Sequence, residues 1–455
     1  MPEHDEFDER LTQRLRAYES RIPDGEIPMT QTQSTNRSRS SLAAGAVIAM
    51  GALAGVVLAL VLLNRPTADI GDSSPSPSAS VQATESTEPS IAPSQSAAPS
   101  ASAPAFSAPT EGYTTIVLGD SGSATVATSG PGGAVVLGYD GNGPIGWHST
   151  DGRDWVALTL PSDGSTDLRP MAVVASDLGY VAAMANCVTE CGGGVLWYSP
   201  DGLNWTLAPL AISGGVLVHL AAGGPGFVAI AIEPLASGSP GVTPTVLVSE
   251  TGQSWESGQP SDLLESNIHA LASMGNVIVA VGTAGNPEGG ALDASWTTSD
   301  GVNWERFDED SDRAAVFDLA WNGEQLLAVG QGSCPGGVGL GLQCPGEANI
   351  AWQSADGRTW QPALADPCCS GLSSVAATAT GWVATVTPGE PPDPAPPALA
   401  GQVGEAEWRA VEIDAGGELF LQSVATHDGL TLFVGEVRQG DTPQPVVIVF
   451  DAQLP

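Results

Sequence analysis

The stretch STDGRDW at 149–155 recurs along the chain. It returns as SPDGLNW at 199–205, SETGQSW at 249–255, TSDGVNW at 298–304 and SADGRTW at 354–360, with a worn copy ending at Trp408. A heptad returning about every 50 residues is the signature of stacked units of one supersecondary type, as in propellers and solenoids. Asp-Gly suits a tight corner between strands, because Gly accepts positive φ and the Ser/Thr and Asp oxygens can hold turn amides. A second tryptophan stands two residues before the Ser/Thr in four copies (Trp147, Trp197, Trp296 and Trp352), with Leu247 in the third, so ten of the twelve tryptophans belong to the repeat. Their expected role is to fill the seams between units, the closing Trp opening the next strand.

Working outward, seven apolar runs each follow a glycine: Gly133, Gly179, Gly226, Gly275, Gly323, Gly381 and Gly429. Each run fits the second strand of a unit of four, and no helical period is sustained. Seven units of four strands predict an all-β fold, a seven-bladed β-propeller over 113–455. The last unit ends after PVVIVFDAQ, its third strand. Residues 113–118, YTTIVL, are therefore expected to return as its outer strand and close the ring, removing open sheet edges.

The strand-then-S-x-D-G-x-x-W pattern resembles the BNR or Asp-box repeat of sialidase-like β-propellers, and the resemblance covers nearly all of 113–455. It departs from the family pattern in having Gly directly after Asp, and in Thr251 where Asp is expected. The resemblance implies the fold first. A sialidase-type activity would need converging arginines on a substrate carboxylate, a tyrosine nucleophile with a carboxylate partner and an acid/base Asp. Arg153 and Arg358 lie inside corners, Arg306 and Arg409 follow corner tryptophans, and Arg438 is placed in the last unit's loop. Only Arg169 and Arg313 precede inner strands, which is too few for a triad.

Residues 64–112 are rich in Ser, Pro, Ala and Thr, a composition that cannot bury enough surface to order itself. They read as a disordered tether with a reach of about 40 Å. Residues 42–63 are uncharged and apolar, long enough for one transmembrane helix across a hydrocarbon core of about 30 Å. Six arginines precede that span and only Arg65 closely follows it, which orients the N-terminus to the cytoplasm and the C-terminal domain outside. In the tail, 1–41, Phe7, Leu11, Leu15, Tyr18 and Ile22 share one face of a short amphipathic helix. That helix rests on the membrane or docks a cytoplasmic partner.

The longer loops, at 186–194, 233–244, 285–293, 332–349 and 388–402, are expected on the propeller face opposite the corners, where recognition surfaces gather. All six cysteines, Cys187, Cys191, Cys334, Cys344, Cys368 and Cys369, lie on that side, and an extracellular setting favours disulfides over metal thiolates. Cys187 and Cys191 can staple one loop; the other four allow three pairings, with cross-pairing between two loops avoiding a strained link between the adjacent Cys368 and Cys369. Formal charge is -37 and there is no lysine, which argues against nucleic-acid binding. Asp308, Asp310 and Asp312 alternate like the opening of a calcium loop but lack its Gly and terminal Glu, so a solvated acidic turn is the plainer alternative; no other cofactor is indicated. His219, His269 and Asp318 recur near the start of successive inner strands and are candidates for the channel mouth, together with Arg169 and Arg313. The leading expectation is a non-catalytic surface protein that binds a protein, peptide or envelope glycan. A sialidase-like glycoside hydrolase and a sensor signalling through the cytoplasmic tail are the alternatives.

Overall fold

The computed structural model describes residues 112–161, 167–186, 193–209, 216–233, 243–285, 291–309, 315–332, 348–366, 371–387, 397–402, 408–440 and 442–451. The tail, the expected membrane span and the tether lie outside these residues. Among the described residues no helix is long and apolar enough to cross a membrane.

Seven four-stranded antiparallel sheets make up the domain. Blade 1 comprises β2 (Ser123–Gly130), β3 (Gly133–Tyr139), β4 (Pro144–Ser149) and β5 (Val156–Ala157). Blade 2 comprises β6 (Leu168–Ser176), β7 (Gly179–Asn186), β8 (Gly194–Ser199) and β9 (Thr206–Leu207). Blade 3 follows with β10 (Val216–Gly223), β11 (Gly226–Glu233), β12 (Thr243–Ser249) and β13 (Glu256–Gly258). Blade 4 has β14 (Ser266–Met274), β15 (Val277–Gly285), β16 (Ala291–Thr298) and β17 (Glu305–Glu309). Blade 5 has β18 (Val316–Trp321), β19 (Leu326–Gly330), β20 (Ala348–Ser354) and β21 (Gln361–Asp366). Blade 6 has β22 (Gly371–Ala377), β23 (Gly381–Thr387), β24 (Ala398–Gln402) and β25 (Trp408–Val411). Blade 7 is built from β26 (Glu418–His427), β27 (Leu430–Gln439) and β28 (Thr442–Phe450), completed by β1 (Tyr113–Val117) from the start of the domain. The closing strand expected from the sequence is therefore in place, with Thr115 opposite Ile448.

Each inner strand touches the inner strands on both sides, and β26 touches β2, so the blades form a closed ring. The second strands are continuous apolar runs because a blade covers each of their faces: β7, GYVAAMAN, is buried from its first residue to its seventh. Their side chains form clusters that cross the seams. One joins Leu432, Val434, Val447 and Val449 of blade 7 to Ala134, Val136 and Trp147 of blade 1. That seam also carries polar fastenings. The Trp147 indole donates to the Leu118 carbonyl at 2.9 Å, and His427 Nε2 donates to the Thr150 carbonyl at 3.2 Å. The imidazole Nδ1 is thereby left to accept the Ser129 hydroxyl at 2.8 Å.

The repeated heptad forms the corner between third and fourth strands. In blade 2, Ser199 Oγ accepts the Gly202 amide at 2.8 Å, and Asp201 Oδ1 accepts the amides of Leu203 and Asn204 at 2.9 and 2.8 Å. The Trp205 indole donates back to the Gly202 carbonyl at 2.9 Å. In four copies the indole closes the corner in this way, and in five the fourth strand starts one residue after the tryptophan, a correction to the expectation that it opens the strand. Gly202, Gly252, Gly301 and Gly357 take φ between +70° and +80° for a second reason as well. A Cβ on Gly301 would come within 2.7 Å of Val248 in blade 3, and one on Gly357 within 2.7 Å of Val279 in blade 4. Each corner presses on the blade before it, so the repeat sets both a local turn and a seam. The indoles of Trp197 and Trp296 are fully buried in those seams.

Donors crowd the corner carboxylates. The amides of Asp154 and Arg153 hold Asp151 down to about 2, and the amide and side chain of Asn303 do the same for Asp300. At Asp201 burial pushes upward, but the amides of Asn204 and Leu203 with the Asn204 side chain outweigh it and leave the group at about 2. A depressed folded value contributes stability that is present above the ordinary carboxylate range and is lost as pH falls through the folded one. Ring stability is therefore expected to fall steeply between about pH 4 and pH 2. Tryptophan fluorescence followed through an acid titration checks this, and the double variant Asp201→Asn, Asp300→Asn should start less stable and show a shallower acid limb. An unchanged limb would count against the corners as acid-labile joints.

Candidate functional site

The glycine turns and corners share one face. The second-to-third and fourth-to-first connections start from the other; residues 187–192, 234–242, 286–290, 333–347 and 388–396 of the expected long loops lie outside the described residues. All six cysteines, Asp310, Asp312 and Arg313 also lie outside the described residues. Asp308 is described and sits in β17 rather than in a loop, its carboxylate engaged by Arg306. Among the described residues no group of three or more His, Cys, Asp or Glu side chains is placed to hold a metal.

Every inner strand carries a bulge, at Thr125, Met171, Val218, His269, Phe317, Ser373 and Gln422. This separates residues that the sequence had grouped. His219 and Asp318 follow their bulges, whereas His269 is itself the bulged residue, one register position away. The bulge turns the following side chain toward the next blade. His219 Nε2 donates to the Ile268 carbonyl at 3.0 Å, from blade 3 to blade 4. Burial, with His269 nearby, depresses its imidazole to about 4, so it is neutral at physiological pH. Asp318 Oδ2 accepts the Ser374 hydroxyl and the Val375 amide, each at 2.9 Å, and its Oδ1 accepts the Leu319 amide at 2.8 Å. Ser374 Oγ in turn accepts the Val424 amide at 3.4 Å, carrying the link from blade 6 to blade 7. Burial pushes the Asp318 carboxyl above the ordinary range, against the three donors that favour its ionised form. His219 and Asp318 are thus seam fastenings, and the bulge sets His269 one register position apart from them.

Arg169 is placed differently. Its guanidinium carbon lies 4.9 Å from the centre of the Tyr139 ring, across the seam from blade 2 to blade 1. Tyr139 donates its hydroxyl to Asp167 Oδ1 at 3.2 Å, and burial followed by that carboxylate raises the phenol above its ordinary value. Beside this cluster a groove of about 420 Å³ runs along the upper edge of blade 1. Its walls include Pro144, Leu158, Leu160, Pro161 and Leu168. Pro144 is the cross-strand partner of Tyr139 and Leu168 precedes Arg169 in β6, but Tyr139, Asp167 and Arg169 are not among the residues that line the groove. Leu158 belongs to the outer edge of blade 1 and Leu168 to the inner strand of blade 2, which gives the groove a radial course.

The other arginines are mostly engaged: Arg153 with Asp451, Arg306 with Asp308, Arg358 with Glu305 and Arg438 with Glu436. Arg438 belongs to β27, not to a loop as its sequence context implied. No second guanidinium joins Arg169 among these contacts. Tyr139 and Asp167 were not among the residues singled out from the sequence; the one signal was an aromatic ending the apolar run of β3 at the loop-rich face.

No family model matches the chain, and no curated protein matches it. Solved structures share the architecture at low identity. The β-propeller domain of the Trilobed protease from Pyrococcus furiosus is 10% identical, with 73% of this chain and 96% of that one covered and a TM-score of 0.43. The Neurospora crassa Pan2 WD40 domain is 8% identical, with coverage of 76% and 98% and a TM-score of 0.46. Trypanosoma rangeli sialidase in complex with the inhibitor DANA is 13% identical, with coverage of 75% and 60% and a TM-score of 0.39. So wide a range of neighbours goes with the fold alone.

Proposed function

We propose that this chain is a non-catalytic recognition or scaffold protein of the cell envelope, anchored by residues 42–63 and binding a protein, peptide or envelope glycan through the loop-rich face of its propeller. The observation that carries the reading is the groove of about 420 Å³ on blade 1, opening beside the loop-rich face, where Pro144, Leu158 and Leu160 supply apolar wall and Asn142 a polar side chain. An apolar concavity with few, placed polar groups is the ordinary form of a binding site. Position supports the same reading. The Asp451 amide donates to the Gly112 carbonyl at 3.2 Å, so the two ends of the described domain meet at the corner face. The repeat's likeness to Asp-box propellers extends to the corners, which are structural, and supplies no acid/base pair.

Binding of the purified full-length chain to isolated envelope fractions, with Leu160→Ala as the variant, tests the proposal. Retention of the wild type and about tenfold weaker retention of the variant are expected, since burying a leucine side chain contributes about 1.5 kcal/mol. Retention of neither protein on any fraction, or hydrolysis of a glycoside by the wild type, would overturn it.

A further inference from the structure

We propose that Asn322 is a site of spontaneous covalent modification, its side-chain amide closing on the Gly323 nitrogen to a succinimide that water opens to aspartate or isoaspartate. The site lies in the glycine turn of blade 5, on the corner face, and is independent of the ligand reading above. The chain holds two Asn-Gly pairs, Asn142-Gly143 and Asn322-Gly323, besides the Asp-Gly pairs of the corners. Sequence alone ranks the two equally. The structure separates them by what each glycine nitrogen and each side-chain oxygen is already engaged in.

At Asn322 the turn between β18 and β19 presents the amide for attack. Its Oδ1 accepts the Glu324 amide at 2.9 Å and the Gln325 amide at 2.7 Å, while the Asn322 amide donates to the Gln325 carbonyl at 3.1 Å. Two donors on one carbonyl oxygen draw electron density from Cγ, and they stand where negative charge develops when a nucleophile adds to that carbon. The nucleophile is the next atom along the chain. Gly323 is exposed, its amide gives no hydrogen bond among the described residues, and a Cβ built on it would meet nothing within 4 Å.

The chemistry needs only water and solvent base. Gly323 N loses its proton and bonds to Cγ, the Cγ–Nδ2 bond breaks, and the side-chain nitrogen leaves as ammonia. Water then adds at Cγ to give aspartate, or at the Asn322 backbone carbonyl carbon to give isoaspartate. At the other Asn-Gly pair the nitrogen is occupied: the Gly143 amide donates to Asp140 Oδ1 at 3.1 Å, a charge-assisted bond that attack would first have to break. In the corners the Gly202, Gly301 and Gly357 amides donate to the hydroxyls of Ser199, Thr298 and Ser354 at 2.8, 2.9 and 2.9 Å, and an ionised carboxylate is a poor electrophile. The two products differ in the turn. Aspartate keeps an oxygen for the Glu324 and Gln325 amides, whereas isoaspartate lengthens the backbone by one methylene and moves its free carboxylate onto Cα, so both amides lose the acceptor placed for them.

The test is incubation of the full-length chain at mildly alkaline pH, folded and in concentrated urea, with conversion at Asn142 and Asn322 followed by peptide mass spectrometry. In the folded chain Asn322 is expected to convert at least about tenfold faster than Asn142, one well-placed donor being worth about that factor in rate. Urea removes both settings and should bring the two rates together. Asn322→Thr should abolish conversion at this position and keep the turn, because Thr378 makes the equivalent turn in blade 6, its Oγ1 accepting the Thr380 and Gly381 amides. Its urea midpoint should match that of fresh wild type, while wild-type chain enriched in isoaspartate should unfold at lower urea. A folded chain in which Asn322 converts no faster than Asn142 would overturn the proposal. So would a difference that persists in urea, which assigns it to neighbouring sequence, or an Asn322 that converts only once the chain is unfolded, which makes the turn a protection.

Discussion

Internal deletion of Tyr113–Val117 is expected to open the ring and lower stability by on the order of 5 kcal/mol, from about five strand pairings and the burial of Ile116. β1 is the outer strand of blade 7, registered from Tyr113 opposite Phe450 to Val117 opposite Val446. Its first ring stacks at 5.2 Å on Phe450, and the Tyr113 hydroxyl accepts the Asp414 amide at 2.7 Å. Without it, the outer edge of β28 has no partner strand, and an unpaired edge recruits other chains. The deletion variant should therefore unfold at a lower urea concentration and aggregate on concentration, and a peptide spanning 112–118 added in trans should restore part of the loss. Unfolding at the wild-type midpoint would show that the remaining strands close the ring by themselves.

The second large effect is expected at Asp318. Its carboxylate takes three donors, from Leu319, Ser374 and Val375, and ties blade 5 to blade 6. Asp318→Ala leaves all three without that acceptor and should cost about 3 kcal/mol, measured as a shift of the urea midpoint. Asp318→Asn keeps one oxygen and sheds a charge that burial disfavours, so its cost should be smaller. The pH dependence has the opposite sign to that of the corners. A carboxyl raised in the folded state contributes stability at low pH that is lost as pH rises through its folded value, and Asp318→Asn should abolish that component. An Asp318→Ala midpoint within error of the wild type would mean that the neighbouring seam contacts suffice.

Much of the architecture was readable from short segments. The corner at Ser199, Asp201, Gly202 and Trp205 bonds almost wholly to itself, so its seven residues announce it wherever they recur. The apolar runs after the glycines announced strands covered on both faces, and YTTIV announced the missing outer strand. The site was less legible. Grouping His219, His269 and Asp318 by distance from the strand start ignored the bulge, which displaces His269 by one register position. Arg169 was legible as a residue preceding an inner strand, but its partner Tyr139 lies in another blade, and nothing in either segment signals the contact.

The sequence by itself determined the repeated corner, the count of seven blades and the strand that closes them, because turn chemistry and apolar periodicity act over a few neighbouring residues. Only the tertiary structure decided that Asp318 and His219 bind blade to blade, and that Tyr139, Asp167 and Arg169 meet across the seam between blades 1 and 2. Those contacts depend on how one sheet stacks against the next. The relative position of side chains across a seam is fixed by packing and bulge geometry, which no single segment encodes.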